Sequence, residues 1–156
     1  MPVHALKRFL DEHHIKYVVI SHSPAYTAQE IAASAHIRGR ELAKTVMLKV
    51  DGRLAMAVLP ASMQIDFELL RDALGCRTVG LASEREFKGL FPDCEVGAMP
   101  PFGNLYNLET YVADALTEDD EIAFNAGTHT ELVKMSYRDY AHVAKPTVLE
   151  FAASVR

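Results

Sequence analysis

Cysteines are scarce in this chain, and the common metal-binding motifs are missing. The 156 residues include two cysteines, Cys76 and Cys94, too few and too far apart for a zinc ribbon or a redox Cys-x-x-Cys pair. We expect both to be small buried hydrophobic residues. The seven histidines form no His-Glu-x-x-His motif, and the adjacent His13 and His14 would point in different directions on a helix. The sequence therefore predicts no structural metal.

Long apolar runs and glycine-rich nucleotide motifs are also missing. The longest apolar run, residues 54–60, has the length of a strand, whereas a membrane-spanning helix needs about 18 residues. The first residues lead into charged Lys7 and Arg8 without the hydrophobic region of a signal peptide. We therefore expect a cytoplasmic protein with no membrane partner. Neither Gly-x-Gly-x-x-Gly nor Gly-x-x-x-x-Gly-Lys-[Ser/Thr] occurs, so we predict no cofactor of the dinucleotide or P-loop type and no other cofactor.

Size and composition are those of one ordinary globular domain. Hydrophobic residues make up 49% of the chain and charged residues 24%. Both values are close to the averages for folded domains, which excludes global disorder. A domain of this length buries roughly 70% of the surface that its unfolded chain exposes, so its core needs no metal or cross-link. We predict a single domain spanning residues 1–156.

The charge balance limits the nucleic acids that the protein can bind. Sixteen lysines and arginines stand against 21 aspartates and glutamates, which gives a net charge of −5 and argues against non-specific coating of DNA or RNA. A basic stretch over residues 38–53 is either a patch that holds one RNA end or the solvated edge of a hairpin. Its basic residues are Arg38, Arg40, Lys44, Lys49 and Arg53.

Apolar periodicity and turn signals predict helices and strands that are interleaved along the chain. We expect helices over residues 3–13, 27–36, 66–74 and 83–91, and helical turns over residues 136–142 and 147–153. We expect strands over residues 16–22, 44–50, 53–59, 77–81, 94–96, 105–112, 121–125 and 130–135. The Asp51-Gly52 pair favours a tight hairpin turn. Because several connections are too short for a crossover, we predict a mixed α/β (α+β) fold in which helices surround a mixed, largely antiparallel sheet.

Lys44 is the first of three features that indicate a functional site. It lies in the strand sequence Ala43-Lys44-Thr45-Val46, and strand alternation places it on the same face as Val46 and Leu48. A lysine that shares a face with two aliphatic residues either extends to solvent or points into a pocket. The pattern alone leaves both open.

The loop over residues 97–103 is the second feature. Gly97 and Gly103 bracket Pro100 and Pro101, whose rings fix the backbone and remove two donors. We expect the remaining amides to face inward, where a rigid loop could hold a carbonyl oxygen or an oxyanion. Those amides belong to Gly97, Ala98, Met99 and Phe102. A plain connection between strands is the alternative.

The third feature is a polar turn over residues 125–129, with the sequence Asn125-Ala126-Gly127-Thr128-His129. Polar groups that crowd at one strand end favour a binding site. The alternative is that His129 is an ordinary surface residue.

In order and spacing, these segments resemble the YbaK/ProX superfamily of aminoacyl-tRNA editing domains, which includes the insertion domain of bacterial prolyl-tRNA synthetases and free-standing relatives. The resemblance covers nearly the whole chain. It rests on the lysine strand at residues 43–46, the Gly-x-x-x-Pro-Phe loop at 97–102, the Asn-x-Gly-x-His turn at 125–129 and the Asp139-Tyr140 pair. It implies the fold of those domains, a curved sheet or barrel-like core surrounded by helices.

The resemblance also implies an activity, hydrolysis of the ester that joins a wrong amino acid to the terminal adenosine of tRNA. Members of the superfamily work without a metal or a covalent enzyme nucleophile. The hypothesis for catalysis is that the Lys44 ammonium offsets negative charge and that the amides of Gly97 and Ala98 hold the carbonyl. His129 and Thr128 then orient water or the ribose hydroxyl.

Substrate recognition follows from the same resemblance. We expect removal of a small residue such as alanine from tRNA(Pro), because the branch that clears cysteine has a basic residue where this chain has His129. Tyr26, Thr27 and Met99 are expected to set pocket size, and the tRNA acceptor end is selected with help from Arg38, Arg40 and Arg53 or by a partner synthetase. The complete set expected to bind substrate is Tyr26, Thr27, Met99, Pro100, Pro101, Phe102, Asn125, Gly127 and Thr128.

Two other classes of function stay open at this point. One is a non-catalytic module of the same fold that binds tRNA or a synthetase and acts as a regulator. The other is a thiol hydrolase that uses Cys94 with a distant histidine, although nothing in the sequence orients such a pair.

Overall fold

The computed structural model describes residues 4–23, 30, 35, 38 and 40–154 of the chain. Its helices are α1 (His4–Glu12), α2 (Phe67–Leu74), α3 (Glu84–Phe87) and α4 (Tyr137–Ala144), with 3₁₀ turns at Lys88–Leu90, Gly103–Tyr106 and Asp114–Glu118. Its strands are β1 (Tyr17–Ser21), β2 (Leu42–Val50), β3 (Arg53–Pro60), β4 (Met63–Ile65), β5 (Val79–Leu81), β6 (Thr110–Ala113), β7 (Glu121–Asn125), β8 (Glu131–Ser136), β9 (Thr147–Leu149) and β10 (Ala152–Ser154). Within these described ranges, no helix is long and apolar enough to cross a membrane.

Seven strands form one path through the main sheet, in the order β1-β8-β7-β2-β3-β6-β9, and β5 pairs with β2 outside this path. The pairs β1–β8, β7–β8, β2–β3 and β2–β5 are antiparallel, whereas β2–β7, β3–β6 and β6–β9 are parallel. Strands β4 and β10 form a separate antiparallel pair. The predicted fold class, a mixed and largely antiparallel sheet with packed helices, is confirmed.

The hairpin and the helix caps form as their sequences predict. Asp51 and Gly52 have φ angles of 46° and 85°, as a type I′ turn requires, and they join β2 to β3 in the register Val50↔Arg53. At the start of α2, the Asp66 carboxylate accepts hydrogen bonds from two backbone amides, both at 3.1 Å. Gly75 ends this helix in the left-handed conformation with φ 65°.

Three segments differ from their sequence-based predictions. Residues 94–96 form turns instead of a strand, because the Cys94 amide bonds back to the Phe91 carbonyl at 3.1 Å. Residues 105–112 begin in a 3₁₀ turn and become extended only at Thr110. Residues 147–153 form strands β9 and β10 instead of a helical turn. Strand β9 gains a parallel partner in β6, and this pairing outweighs a weak helical periodicity.

The main sheet packs hydrophobic clusters on both faces. On the face that we call the α1 face, Met47 and Met56 pack with Leu6 and Leu10 of α1 and with the rings of Phe102, Phe124 and Tyr140. On the opposite face, the α2 face, Leu48 and Leu59 pack with Leu70 of α2 and with Phe151. Leu42, Ala61, Ala123 and Leu132 form a smaller cluster. This cluster lies on the α2 face, because strand alternation along β2 places Leu42 on the same face as Leu48. The predicted helix over residues 27–36 lies largely outside the described residues; Glu30 and Ala35 are described, and both are helical.

Candidate active site

The loop over residues 95–98 and the turn over residues 127–129 are joined by backbone hydrogen bonds. The Glu95 amide donates to the Gly127 carbonyl at 2.8 Å, and the Gly127 amide donates to the Ala98 carbonyl at 2.9 Å. The Glu95 carboxylate also accepts from the His129 amide at 3.0 Å. Gly97 and Gly127 have φ angles of 86° and 98°, a region that favours glycine. Two segments that are about 30 residues apart in sequence thus form one unit.

The buried His129 ring makes a further hydrogen bond within this unit. Its Nε2 lies 2.8 Å from the Val96 carbonyl oxygen, and because a carbonyl can only accept, Nε2 carries the hydrogen. The residue is 7% exposed, and its ring packs against Gly97, where an added Cβ would lie 3.5 Å from Cε1 of His129. These contacts give His129 a role in holding the loop, which differs from the orientation of water or the ribose hydroxyl that the resemblance implies.

Lys44 lies beside this unit, on the α2 face of the sheet. The parallel register of β2 and β7 pairs Leu42 with Ala123 and Ala43 with Phe124, so Lys44 and Asn125 are the next residues along the two strands. Alternation places Lys44 on the same face as Leu42, and Asn125 on the same face as Ala123. Since Leu42 and Ala123 pack in one cluster, Lys44 and Asn125 share that face.

A gap in strand pairing opens at Lys44. Along one edge, β2 pairs with β7 as far as Ala43, and pairing resumes with β5 at Leu48. Between these two points, β2 has no strand partner on this edge among the described residues. The strand end of β7, with Asn125, adjoins this gap, and the chain continues from Asn125 into the turn over residues 127–129. The lysine strand and the polar turn are therefore neighbours through the register of β2 and β7, and the loop is joined to the turn by its hydrogen bonds.

The electrostatics of the gap suit an anionic or polar ligand. Partial burial lowers the pKa of Lys44, and no acceptor of the described residues lies within hydrogen-bond distance of its ammonium. The Asn125 side-chain oxygen is buried, and it too lacks a hydrogen-bond donor within the described part of the chain. A desolvated cation beside an unpaired amide can neutralise a phosphate or a developing oxyanion and can hold a polar group of the same ligand.

The structure corrects the prediction that four loop amides are free. The Ala98 amide donates to the Glu95 carbonyl at 3.1 Å, and the Phe102 amide donates to the Pro100 carbonyl at 2.8 Å, so neither is available to hold a carbonyl of the ligand. Across the described residues, the amides of Gly97 and Met99 have no such partner. Gly97 is exposed and Met99 is buried, which leaves Gly97 as the accessible donor.

The rest of the loop turns into the core. The residues from Ala98 to Gly103 are all buried. The Phe102 ring packs against Phe9, Phe124 and Tyr140 on the α1 face, with centroid distances of 5.8, 5.5 and 5.2 Å, and Met99 belongs to the same cluster. Phe102 and Met99 therefore lie in the core on the α1 face, whereas alternation places Lys44 on the α2 face, and their contact with substrate stays a prediction. They lie in the core because the two prolines direct the chain inward.

A buried hydrogen bond fixes the diproline segment. The Tyr140 hydroxyl donates to the Pro101 carbonyl at 2.7 Å, and burial raises the pKa of Tyr140, so the hydroxyl stays protonated and remains a donor. Tyr140 belongs to the Asp139-Tyr140 pair of the sequence pattern. Within this pair, Tyr140 has a structural role, because its hydroxyl holds the diproline segment in place.

We predict that Tyr140→Phe destabilises the protein by about 1–3 kcal/mol, because it leaves the Pro101 carbonyl buried without a donor. For a chain of this size, that corresponds to a fall in Tm of roughly 2–12 °C in a thermal scan. The control is Tyr106→Phe, since the Tyr106 hydroxyl has only a weak partner in the Cys94 sulfur at 3.6 Å. Equal Tm values for the two variants would contradict this role of Tyr140.

The basic residues predicted to bind tRNA separate into two places. Arg38 and Arg40 precede β2 and so lie at the Lys44 end of the hairpin; Arg40 is close enough to Asp119 to oppose the rise that burial causes in the pKa of that carboxyl. Arg53 is at the turn, whereas Lys44 pairs with Leu59, so about 20 Å of strand separates the two ends. Two other predicted residues, Tyr26 and Thr27, lie outside the described residues.

Neither cysteine is a fully buried hydrophobic residue, and Cys94 does not have the environment of a reactive thiol. Cys76 and Cys94 are both free and only partly buried. Burial raises the pKa of Cys94, and its hydrogen bond with Tyr106 opposes this only in part. A nucleophilic cysteine needs a lowered pKa, so the geometry gives no support to a thiol hydrolase.

One candidate residue, His22, was missed by the sequence patterns. It directly follows β1, and its amide donates to the Thr130 carbonyl at 2.8 Å, which continues the pairing of β1 with β8. Its neighbour Ile20 pairs with Leu132 on the α2 face, so alternation places His22 on that face too. Only the register of two strands that are far apart in sequence places it on the same face as Asn125.

Comparison with known proteins identifies the family of the chain. Residues 22–143 match the aminoacyl-tRNA editing domain family. The Multifunctional Ser/Thr-tRNA deacylase ProXp-y of Escherichia coli (strain K12) is 37% identical over 128 residues, which cover 76% of this chain and 75% of that protein. The Prolyl-tRNA editing protein ProX of Acetoanaerobium sticklandii is 27% identical over 151 residues, which cover 92% and 91%.

A shorter match and two solved structures complete the comparison. Over 81 residues, the chain is 28% identical to the Proline–tRNA ligase of Bacillus mycoides (strain KBAB4), which covers 52% of this chain and 14% of the ligase. The fold matches the crystal structure of hypothetical protein APE2540 with a TM-score of 0.84 at 20% identity, over 96% of this chain and 99% of that one. It also matches a candidate trans-editing enzyme for prolyl-tRNA synthetase, with a TM-score of 0.82 at 17% identity, over 97% of both chains. The chain therefore belongs to the YbaK/ProX family of aminoacyl-tRNA editing domains, enzymes that hydrolyse the ester bond of a mischarged aminoacyl-tRNA.

Proposed function

We propose that residues 1–156 act as one trans-acting deacylase domain, which releases a small amino acid, alanine in the first place, from mischarged tRNA(Pro). The observation that supports a site for this reaction is the position of Lys44 beside Asn125 at the gap in the sheet, where the chain continues from Asn125 into the turn that is joined to the Gly97 loop. We place the protein in the cytoplasm with its tRNA substrate.

In the proposed reaction, a water molecule attacks the ester carbonyl carbon and the carbonyl oxygen becomes an oxyanion. The amide of Gly97 and the ammonium of Lys44 stabilise this charge. The carbon–oxygen bond to the ribose then breaks, the ribose oxygen takes up the proton that the water loses, and free amino acid leaves an intact tRNA end. An aminoacyl ester is already activated, so orientation and charge stabilisation can supply most of the acceleration without an enzyme nucleophile.

His129 acts in this scheme through the loop. Its hydrogen bond to the Val96 carbonyl holds the peptide next to Gly97, which keeps the Gly97 amide pointed at the oxyanion position. Thr128, whose hydroxyl lies 3.3 Å from that of Thr130, supplies a polar group at the edge of the turn. This assigns a positioning role to His129 and leaves the charge stabilisation to Lys44 and Gly97.

For the tRNA, we propose recognition by the acceptor end. Arg38 and Arg40 lie at the Lys44 end of β2, where a terminal phosphate would approach, and Arg53 is far enough away to meet the acceptor stem. Selection among tRNA species then falls to the acceptor stem or to a partner synthetase. The match to part of a proline–tRNA ligase supports a synthetase that handles tRNA(Pro).

The identity of the amino acid has a competing candidate. The relative that is 37% identical is named a Ser/Thr-tRNA deacylase, which favours serine or threonine over alanine. A hydrophobic pocket separates residues that differ by one methylene only about 10- to 200-fold, so close substrates can share one site.

A panel of charged tRNAs tests the proposal. Alanine, serine, threonine and cysteine are each placed on tRNA(Pro) and on their own tRNA, and the release of amino acid by the purified protein is followed with time. We expect the fastest release from alanyl-tRNA(Pro). Faster release of serine or threonine would replace alanine in the proposal, and equal rates on all tRNAs would remove the role of tRNA(Pro).

A further inference from the structure

His22 has an unpaired acceptor on the face that carries the proposed site. Its Nδ1 lies 2.8 Å from the Ser23 carbonyl oxygen, and because that oxygen can only accept, Nδ1 carries the ring hydrogen. In the neutral ring, Nε2 is then a bare acceptor. This nitrogen is buried and has no donor within hydrogen-bond distance among the described residues.

A buried acceptor without a donor destabilises the free protein, and a ligand that brings a donor removes this penalty. Asn125 has a second buried acceptor on the same face, since its side-chain oxygen also lacks a donor in the described part of the chain. The two residues belong to neighbouring parts of the sheet, because β7 pairs with β8 and His22 continues β1 beside β8. The site thus offers acceptors at one end and the Lys44 cation at the other.

This arrangement complements the charge of an aminoacyl adenosine. Across the order β2-β7-β8-β1, Lys44 lies three strand spacings, each about 4.8 Å, from Ile20, and His22 lies two residues farther along the chain. An aminoacyl adenosine carries a negative phosphate at one end and a positive α-ammonium group at the other, with the ester between them. With the phosphate or the oxyanion at Lys44, the ammonium lies toward His22.

We propose that Nε2 of His22 accepts a hydrogen bond from the α-ammonium group of the aminoacyl moiety. The proposal rests on the proposed function and extends it to a substrate class, which is aminoacyl-tRNA with a free α-amino group. Esters whose amino group is acylated, such as peptidyl-tRNA, lose the charged donor and are poor substrates. The enzyme would thereby spare tRNA that carries a growing peptide.

The test compares one aminoacyl-tRNA, carrying the amino acid released fastest in the panel, with its N-acetylated form. Because the α-ammonium group by itself activates the ester, each rate is divided by the spontaneous rate of the same ester. We then expect the wild-type protein to favour the free-amino ester roughly 10- to 100-fold, the range of a hydrogen bond to a charged group. His22→Phe should remove most of this preference by slowing hydrolysis of the free-amino ester alone.

Two conservative variants separate ligand binding from a structural role. In His22→Gln the side-chain oxygen can reach the position of Nε2, so the preference should largely return. In His22→Asn the amide nitrogen can replace Nδ1 and keep the Ser23 contact, but no acceptor reaches Nε2, so the preference should stay low. The matched control is His13→Phe, because His13 Nδ1 makes the same kind of contact, at 2.8 Å to the Phe9 carbonyl, beside α1 and away from the site. That variant should keep the wild-type preference.

Three results would overturn the inference. They are equal rates on the two esters in the wild type once each is divided by its spontaneous rate, a preference that persists in His22→Phe and so reflects exclusion by size, and rescue by Asn instead of Gln. A wild-type protein that releases no amino acid from any ester would instead overturn the proposed function itself, so the two failures are distinguishable.

Discussion

Lys44→Met is expected to lower kcat/KM for the deacylation of mischarged tRNA by about 100-fold or more, with the fold unchanged. The loss of one group that stabilises an oxyanion typically slows a reaction by about 10²–10³. Methionine keeps the length and the apolar stem of lysine and removes only the ammonium. The measurement is the initial rate of amino acid release, compared with the spontaneous rate.

Lys49→Met is the matched control on the same strand. Lys49 is exposed, alternates to the other face of β2 and pairs with Glu86, so its loss should leave the deacylation rate within about threefold. If both variants keep the wild-type rate, or both lose it, the assignment of Lys44 to the reaction is wrong.

The same Lys44→Met variant should be more stable than the wild-type protein at neutral pH. Burial lowers the pKa of Lys44 in the folded state, so the charged form is disfavoured on folding. This destabilisation is fully present while lysine is protonated in both states, below the lowered pKa, and disappears as the pH rises above the ordinary value. A higher Tm at pH 7 together with lost activity is therefore expected, and a lower Tm would contradict it.

Gly103→Ala should lower the stability of the protein more than the same substitution at Gly52, Gly75, Gly80, Gly89 or Gly97, because the added Cβ has the closest contacts there. A Cβ at Gly103 would lie 2.3 Å from the Thr110 hydroxyl and 2.6 Å from the Leu108 carbonyl oxygen. It would also displace the hydrogen bond from the Gly103 amide to the Thr110 hydroxyl at 3.0 Å. Overpacking of this kind costs about 1–3 kcal/mol or more, and the lost hydrogen bond adds to it.

A thermal scan with circular dichroism measures this effect. For a chain of this size, we expect Tm to fall by roughly 5–15 °C. The control is Gly89→Ala, because an added Cβ there meets nothing within 4 Å and the residue does not need a positive φ. Its Tm should stay within about 2 °C of wild type, and a fall as large as that of Gly103→Ala would show that the contact at Thr110 is not the cause.

The turn of the hairpin and the start of α2 could be predicted from the sequence, because a few neighbouring residues determine each of them. The Asp51-Gly52 turn fixes the hairpin because few residue pairs adopt two positive φ angles, and Asp66 fixes the start of α2 because its carboxylate caps two amides. Strand alternation placed Lys44 on the face of Val46 and Leu48, and the clusters agree. Alternation alone leaves both directions open for the Lys44 side chain, and the structure adds that this side chain is partly buried.

Long-range pairing decided what the sequence patterns could not. Thr147 and Val148 are extended because β6 offers them a free edge, which no local pattern reveals. The inward course of the loop after Gly97 depends on Tyr140, almost 40 residues away, whose hydroxyl holds the Pro101 carbonyl. The same is true of His22, which the register of β1 with β8 places on the α2 face, the face that also carries Asn125.

The central claim, that this chain by itself hydrolyses an aminoacyl ester, has a direct measurement. The purified protein is incubated with alanyl-tRNA(Pro) in the absence of any synthetase, and both free alanine and the ability of the tRNA to be charged again are measured. The account predicts alanine release in proportion to protein concentration, with a tRNA end that can be recharged fully. Formation of a protein–tRNA complex in which alanine stays on the tRNA at the spontaneous rate, for this and every other small amino acid, would contradict it and would favour a non-catalytic binding module.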